Sequence, residues 1–296
     1  MITFIELGSL GRLGNQLFQY AALRSLGLKN GYEVKIPSPQ NRDWHGQQCL
    51  LDNFNIEASY LEPSDVQTLQ HSYHEPDYMN FDYNFWNIPD NTNISGFFQS
   101  THYFSLFEKQ IRKELTPKIE LLEEAEEKII KLKETNRHYD IVSLHLRRGD
   151  NTDNTNASQE LNKMYGSDIS LELDSFYGKY FNAAKEQFKN KKVKFLIFTG
   201  GSRDPNEGNL TDIEWCKKNF IGDEYLFAEK NSTLQDFCLI MKCKYNIISH
   251  VSSFGWWAAF LNNNVDKKVV APIHYHSNLK NYTHRNGFFP KDWVLV

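Results

Sequence analysis

The second half of the chain alternates short apolar runs with segments of helical periodicity, and this alternation constrains the fold more than any other feature. Strands separated by helices pair in parallel, because the chain must cross back over the sheet before each new strand begins. We therefore predict a doubly wound parallel sheet. The predicted strands are Tyr139–Leu146, Val193–Phe198, about 224–228, Tyr245–Ser249 and Val269–Val270, and the predicted helices are about 173–188, 211–219, 232–242 and 253–262.

The preceding part of the chain is predicted to form a separate N-terminal domain. It opens with a strand predicted to run through Leu7, followed by a glycine-rich turn and an apolar helix. Residues 34–105 are rich in aromatic residues, Asn, Asp and Pro, and their aromatic side chains either fill an irregular core or face a sugar or partner. An amphipathic helix at residues 117–134 then leads to the strand at Tyr139. We predict a domain of residues 1–138 and a second domain of residues 139–296.

The charge balance narrows the classes of partner. The 296 residues include 33 Lys+Arg against 37 Asp+Glu, which gives a net charge of −4. Binding to the phosphate backbone of nucleic acid requires clustered excess Lys and Arg, so we expect no nucleic-acid partner. We find neither a signal-peptide pattern nor an apolar run of about 18 residues. These features predict a cytoplasmic protein without a transmembrane segment, either free or loosely attached to a membrane.

A cluster of charged side chains ends the strand that begins at Tyr139. The segment reads His145-Leu-Arg147-Arg148-Gly-Asp150, and ligands of open α/β sheets bind beyond such strand ends. Alternation along the strand places His145 and Arg147 on one side. Asp150 can pair with one arginine, which leaves the other guanidinium for a phosphate or pyrophosphate. The alternatives are a surface salt-bridge cluster, or adhesion through the Arg-Gly-Asp triad, which would require display outside the cell.

Two further segments contain polar residues at predicted helix starts. A serine at Ser252 or Ser253 can cap the helix at 253–262, and the same N–H groups can bind an anion. The apolar residues that follow Phe254 in this helix are predicted core. Near the N-terminus, a glycine-rich turn precedes Asn15 and contains Arg12, but its spacing fits neither the dinucleotide-binding nor the Walker pattern.

The three segments together resemble the α-1,2-fucosyltransferase family, within a wider group of α-1,2-, α-1,6- and protein O-fucosyltransferases. The matching stretches run from Gly11 to Ala21, from His145 to Asp150, and from Ser252 to Ala259. The resemblance implies an α/β fold of the GT-B type, with two Rossmann-like domains and a donor-binding C-terminal half. It implies an inverting, metal-independent transfer of L-fucose from GDP-β-L-fucose to the 2-hydroxyl of a β-galactoside-containing oligosaccharide, with no cofactor.

The resemblance also implies roles for individual residues. Arg147 would bind the β-phosphate of the donor as the main catalytic residue, with His145 beside it as a second. Asp150 would order the loop, and Arg12 and Asn15 would reach the donor from the acceptor-side N-terminal domain. The full set of expected donor-binding residues is Arg147, Arg148, Asp150, Ser252, Ser253, Phe254, Asn15, Arg12 and Asp236.

The chain departs from the family pattern at a few positions. Relatives usually have Asn in place of Val251 and often Ser in place of Gly255, and many have an acidic pair near Gly200 and Gly201. These departures concern the recognition of guanine and ribose rather than of the pyrophosphate.

Several points stay open from the sequence. A base for the acceptor hydroxyl is suggested only by region, at Glu6, Asp43 or His45. An α-1,6 or other linkage is one alternative function, and a non-catalytic glycan- or nucleotide-sugar-binding protein is another. The acceptor itself is not identified.

Overall fold

The described residues form two compact units. The computed structural model describes residues 1–40, 42–44, 46–78, 80–148, 176–200, 208–250, 252–273 and 287–296. Within these, the first unit comprises Met1–Lys118 with part of Asn281–Pro290, and the second comprises Ile119–Lys280 with Lys291–Val296.

The first unit is built on a parallel sheet, of which the described residues show five strands. Its helices and strands are β1 (Ile2–Thr3), α1 (Leu13–Asn30), β2 (Val34–Ile36), β3 (Asp43–Trp44), β4 (Gln47–Gln48), β5 (Ser59–Tyr60), α2 (Pro63–Val66), β6 (His71–His74), β7 (Thr92–Ser95) and α3 (Glu108–Glu114). The strand order is β5-β2-β1-β7-β6, and every neighbouring pair is parallel. Strands β3 and β4 form a separate antiparallel pair. After β1, the chain adds β2 and β5 on one side of β1, and then β6 and β7 on the other side. This reversal places a topological switch point between β1 and β7.

The first strand is shorter than predicted. We predicted a strand through Leu7, but β1 ends at Thr3, because the N–H of Leu7 turns back to donate to the carbonyl of Phe4 at 3.0 Å. Arg42 holds this turn by donating from Nε to the carbonyl of Leu7 at 2.8 Å. Gly8 and Gly11 follow with φ of 89° and 85°, a region that glycine enters without a steric cost.

The aromatic residues of the first unit mainly fill its core. Phe85, Phe98 and Tyr103 are fully buried, and their rings lie 4.7–5.6 Å apart in edge-on or tilted contacts. Of the two alternatives that the sequence left open for residues 34–105, these contacts support the irregular core.

The second unit contains the predicted doubly wound sheet. Its helices and strands are α4 (Ile119–Thr135), β8 (Asp140–Arg147), α5 (Phe176–Glu186), β9 (Val193–Gly200), α6 (Gly208–Asn219), β10 (Tyr225–Phe227), α7 (Thr233–Lys242), β11 (Tyr245–Ile247), α8 (Ser253–Leu261), β12 (Val269–Ala271) and β13 (Val294–Leu295). The six strands of the described residues run parallel in the order β10-β9-β8-β11-β12-β13. This order places the switch point between β8 and β11.

The division between the units differs from the predicted boundary at residues 138 and 139. Helix α4 lies in the second unit, because it pairs with α7 through polar contacts. Lys242 Nζ lies 2.8 Å from Glu126 Oε2, and Gln235 Nε2 of α7 donates to Glu124 Oε1 of α4 at 2.5 Å. The apolar side of α4 is buried at Ala125 and Ile129. The helix is therefore part of the second unit and not only a connector.

Candidate active site

Arg147 stands at the switch point of the second sheet. It is the last residue of β8, and its backbone N–H donates to the hydroxyl of Ser249, just beyond β11, at 3.0 Å. Ser249 is buried, whereas the Arg147 side chain is partly exposed. Ligands of open α/β sheets bind in the crevice outside the strand ends at such a switch point. The structure therefore places Arg147 where a ligand of the second unit is expected.

The neighbouring arginine has a different environment. Arg148 is buried, its Nε lies 3.4 Å from Asp212 Oδ1, and its Cζ lies 3.7 Å from the centre of the Trp215 ring. Both partners belong to α6, so the guanidinium ties the end of β8 to that helix. The sequence suggested Asp150 as the carboxylate for one arginine; Asp150 lies outside the described residues, and Asp212 takes this place for Arg148. The contacts assign Arg148 a structural role, and a role in donor binding stays a prediction.

His145 is packed against the start of α8. Its imidazole is buried with its ring centre 5.6 Å from that of Phe254, and a Cβ added to Gly255 would lie 2.7 Å from its Nδ1. Burial, together with the positive charge of Arg147, lowers the pKa of His145 to about 3. The imidazole is therefore uncharged at neutral pH. Its contacts show that the imidazole packs between β8 and α8, and its catalytic role stays a prediction.

The N-terminus of α8 has the predicted serine cap. Ser252 has an extended backbone, and its Oγ accepts a hydrogen bond from the N–H of Gly255 at 3.4 Å. Ser253 and Phe254 form the first turn and are partly exposed, whereas Trp256 and Trp257 are buried, as predicted for the core. The helix follows β11, so its N-terminal N–H groups start on the same side of the switch point as Ser249. N-terminal N–H groups and the helix dipole favour an anion.

Asp236 lies in the first turn of α7. Its Oδ1 accepts a hydrogen bond from Asn231 Nδ2 at 2.8 Å, and Asn231 in turn accepts from Lys128 of α4. Burial raises the pKa of Asp236 to about 7. The next residue, Phe237, packs edge-on against Phe254 with ring centres 5.4 Å apart. These contacts connect Asp236 mainly to α4, and its role in donor binding stays a prediction.

Arg12 and Asn15 lie at the switch point of the first sheet. Arg12 precedes α1, and Asn15 Oδ1 accepts a hydrogen bond from Gln99 Nε2 at 2.8 Å, in the segment that follows β7. Gln19 connects the same two segments, because its Nε2 donates to the carbonyls of Leu10 and Gly96 at 2.9 and 3.2 Å. Both predicted residues are partly exposed at the carboxyl edge of this sheet.

The similarity of this chain to known proteins covers nearly its whole length and is not limited to one motif. The sequence model of one family, Glycosyl transferase family 11, matches residues 4–296. The chain belongs to this family. It is 29% identical to the alpha-1,2-colitosyltransferase of Escherichia coli, over 97% of this chain and 96% of that protein. It is 28% identical to galactoside alpha-(1,2)-fucosyltransferase 1 of Homo sapiens, over 85% of this chain and 63% of the human protein.

A solved structure supports the fold. The crystal structure of POFUT1 in complex with GDP aligns with a TM-score of 0.50 at 12% identity, covering 88% of this chain and 93% of that chain. This chain has an α/β fold of the GT-B type with parallel sheets, as the family resemblance implied. In the described ranges, we find no helix with the length and apolar character needed to cross a membrane.

Several residues that shape the site were not predicted. Ser249, Asp212 and Trp215 hold Arg147 and Arg148, yet each lies far from them in the chain. Ser249 had one visible signal, because it is a polar residue at the carboxyl end of a predicted strand. The predicted Asp150 and Val251, and the base candidate His45, lie outside the described residues.

Proposed function

We propose that this glycosyltransferase moves L-fucose from GDP-β-L-fucose to the 2-hydroxyl of a β-galactoside, with inversion and without a metal ion. The observation that carries the proposal is the position of Arg147 at the switch point, next to the serine-capped start of α8. Transfer from GDP builds negative charge on the departing diphosphate. A guanidinium and a helix N-terminus are suited to stabilise that charge.

The names of two relatives support the linkage, and the name of the human relative also supports fucose as the transferred sugar. The human relative is named a galactoside alpha-(1,2)-fucosyltransferase, and the E. coli relative an alpha-1,2-colitosyltransferase. Both names specify a 1,2 linkage, which favours this linkage over the α-1,6 alternative. Under this proposal the second unit binds the nucleotide sugar and the first unit supplies the acceptor side.

Colitose is a second candidate for the transferred sugar. The colitosyltransferase matches nearly the full length of both chains, which is a specific reason to test GDP-colitose. Colitose is L-fucose without its 3-hydroxyl. A site that hydrogen-bonds a substrate hydroxyl discriminates strongly against an analogue that lacks it, by about 10⁴–10⁵ in the best cases. A comparison of kcat/KM for the two donors therefore decides which sugar the site recognises.

The experiment measures GDP release from GDP-fucose, with and without a panel of β-galactosides, in the presence of EDTA. We expect release that the acceptor stimulates, that survives EDTA, and that falls by about 10²–10³ in Arg147→Ala. Arg137→Ala is the matched control, since Arg137 is exposed just before β8, at the opposite end of the same strand. The linkage of the product is read by NMR.

Each outcome has a definite meaning. Loss of release in EDTA, with recovery on adding a divalent cation, would contradict metal independence. Binding of GDP-fucose without release, across the panel, would favour the non-catalytic alternative. A product linked at the 6-hydroxyl would replace the proposed linkage.

A further inference from the structure

A carboxylate of the first unit stands at the switch point of its own sheet. Glu6 lies in the turn that follows β1, and Ser95 is the last residue of β7. The Ser95 hydroxyl donates a hydrogen bond to Glu6 Oε2 and so connects the two strand ends. Ser95 is buried, whereas Glu6 is exposed. The carboxylate is therefore accessible at the place where open α/β sheets bind their ligands.

The backbone on both sides of Glu6 is fixed. The N–H of Ile5 donates to Asn93 Oδ1 at 2.9 Å, which holds it to β7. Arg42 donates to the carbonyls of Ile5 and Leu7, and the second of these bonds measures 2.8 Å. These bonds fix the turn on each side of Glu6, so the position of its carboxylate is set before a ligand arrives. Such preorganisation is what a group acting on a reacting atom requires.

The other acidic candidates of the first unit are less suited. Glu75, just after β6, already accepts the N–H groups of Phe97 and Phe98 at 2.8 and 2.9 Å, and its second oxygen is buried. Burial raises the pKa of Glu75 to about 7, and its Oε2 is already held by two backbone N–H groups. Asp43 lies on the β3–β4 hairpin, and its Oδ1 accepts from the N–H of Gly46. Glu6 combines exposure with a position at the switch point.

We propose that Glu6 binds the attacking hydroxyl of the acceptor and takes its proton, an inference that rests on the proposed function. The acceptor O–H bond breaks and its proton moves to a Glu6 oxygen. The acceptor oxygen forms a bond to C1 of the donor sugar, while the bond from C1 to the phosphate oxygen breaks and its electron pair leaves with GDP. Glu6 then returns the proton to water. The Ser95 hydroxyl occupies one carboxylate oxygen and leaves the other for the acceptor.

The test compares Glu6→Gln with two matched carboxylate-to-amide variants in the full-length enzyme. Glu33→Gln removes an exposed carboxylate at the opposite, amino edge of the same sheet, and Asp43→Asn removes the carboxylate of the hairpin. We measure kcat and the two KM values with GDP-fucose and the β-galactoside panel, and GDP affinity by calorimetry. For Glu6→Gln we expect kcat to fall by about 10²–10⁴ with GDP affinity unchanged. Glu33→Gln should match the wild type.

The outcomes separate this inference from the proposed function. Wild-type turnover in Glu6→Gln, a parallel loss of GDP affinity, or a loss of kcat in Asp43→Asn instead would overturn the role of Glu6. If Glu6→Gln melts at a lower temperature, Glu6→Ala assayed with added formate decides the matter. Recovery of turnover supports the role, because formate replaces the missing carboxylate, and no recovery overturns it. A wild-type enzyme that releases no GDP with any acceptor contradicts the proposed function itself, and the role of Glu6 with it.

Discussion

The backbone N–H of Arg147 and the hydroxyl of Ser249 form a hydrogen bond of 3.0 Å between the ends of two neighbouring strands. Regular pairing of β8 with β11 ends at Leu144 and Ile247. Beyond that point β11 ends, and the hydroxyl of Ser249 accepts the N–H that a paired strand would otherwise bind. The serine thus fixes the backbone of the residue that we expect to meet the diphosphate.

Ser249→Ala should weaken both the fold and the reaction. The partly buried N–H of Arg147 would lose its acceptor, which costs up to about 1–3 kcal/mol. Displacement of the guanidinium by about 1 Å can reduce kcat/KM by up to about 10²-fold. Ser143→Ala is the control, because Ser143 Oγ is buried four residues before Arg147 in β8 and accepts from Asn246 Nδ2 at 2.8 Å. The control should lower the melting temperature but leave kcat/KM unchanged; equal kinetic losses in both variants would contradict the positioning role.

The two adjacent arginines should separate into one functional and one structural residue. Arg148→Met leaves Asp212 buried without its ion pair, so we expect the free energy of unfolding to fall by about 3–5 kcal/mol. The double variant Arg148→Met/Asp212→Leu should recover most of that loss, because no charge is left buried. Urea unfolding measures both. Arg147→Ala should instead keep its stability and lose turnover, and a stable but inactive Arg148→Met would show that Arg148 contacts the donor.

The second unit could be predicted from the sequence because its signals are local. The apolar run of β8 was predicted at Tyr139–Leu146 and observed at Asp140–Arg147, and the predicted serine cap of α8 is present. The first unit gave weaker signals. Its strands have two to four residues, and β6 reads His-Ser-Tyr-His with mostly exposed side chains, so no alternation of apolar and polar residues marks it as a strand. Its parallel sheet was implied by the family resemblance, not by periodicity.

The site could be predicted only in part, for a similar reason. Arg147, Ser252 and Ser253 belong to short segments that can be recognised from neighbouring residues. Their partners cannot be recognised in this way, since Asp212 and Ser249 reach the arginines only after the sheet has formed. The contacts of α4 could not be predicted either, because α4 looks like a connector until its contacts with α7 are known.

Gly255→Ala should strain the contact between β8 and α8. The new Cβ would lie 2.7 Å from His145 Nδ1, which is closer than van der Waals contact, and the opposing imidazole is buried. Such overpacking costs about 1–3 kcal/mol. His145→Ala removes the opposing ring, so the double variant should be more stable than the sum of the two single losses predicts. Thermal unfolding of the four proteins gives the coupling, and strictly additive losses would contradict the contact.

The pH dependence of stability should report the buried carboxyl of Asp236. Its pKa is raised by burial from the usual 3.8 to about 7, so the folded state holds a proton over a range in which the unfolded state releases it. The stabilisation is complete below about pH 4 and is lost as the pH rises through about 7. Asp236→Asn keeps an oxygen for Asn231 but cannot ionise. We therefore expect the free energy of unfolding of this variant to gain on the order of 2 kcal/mol relative to the wild type between pH 5 and pH 8.

The control is Asp266→Asn, at an exposed position, whose free energy of unfolding should change with pH as that of the wild type does. Urea unfolding at several pH values measures the difference, and a constant gap between Asp236→Asn and the wild type would show that Asp236 does not titrate in this range.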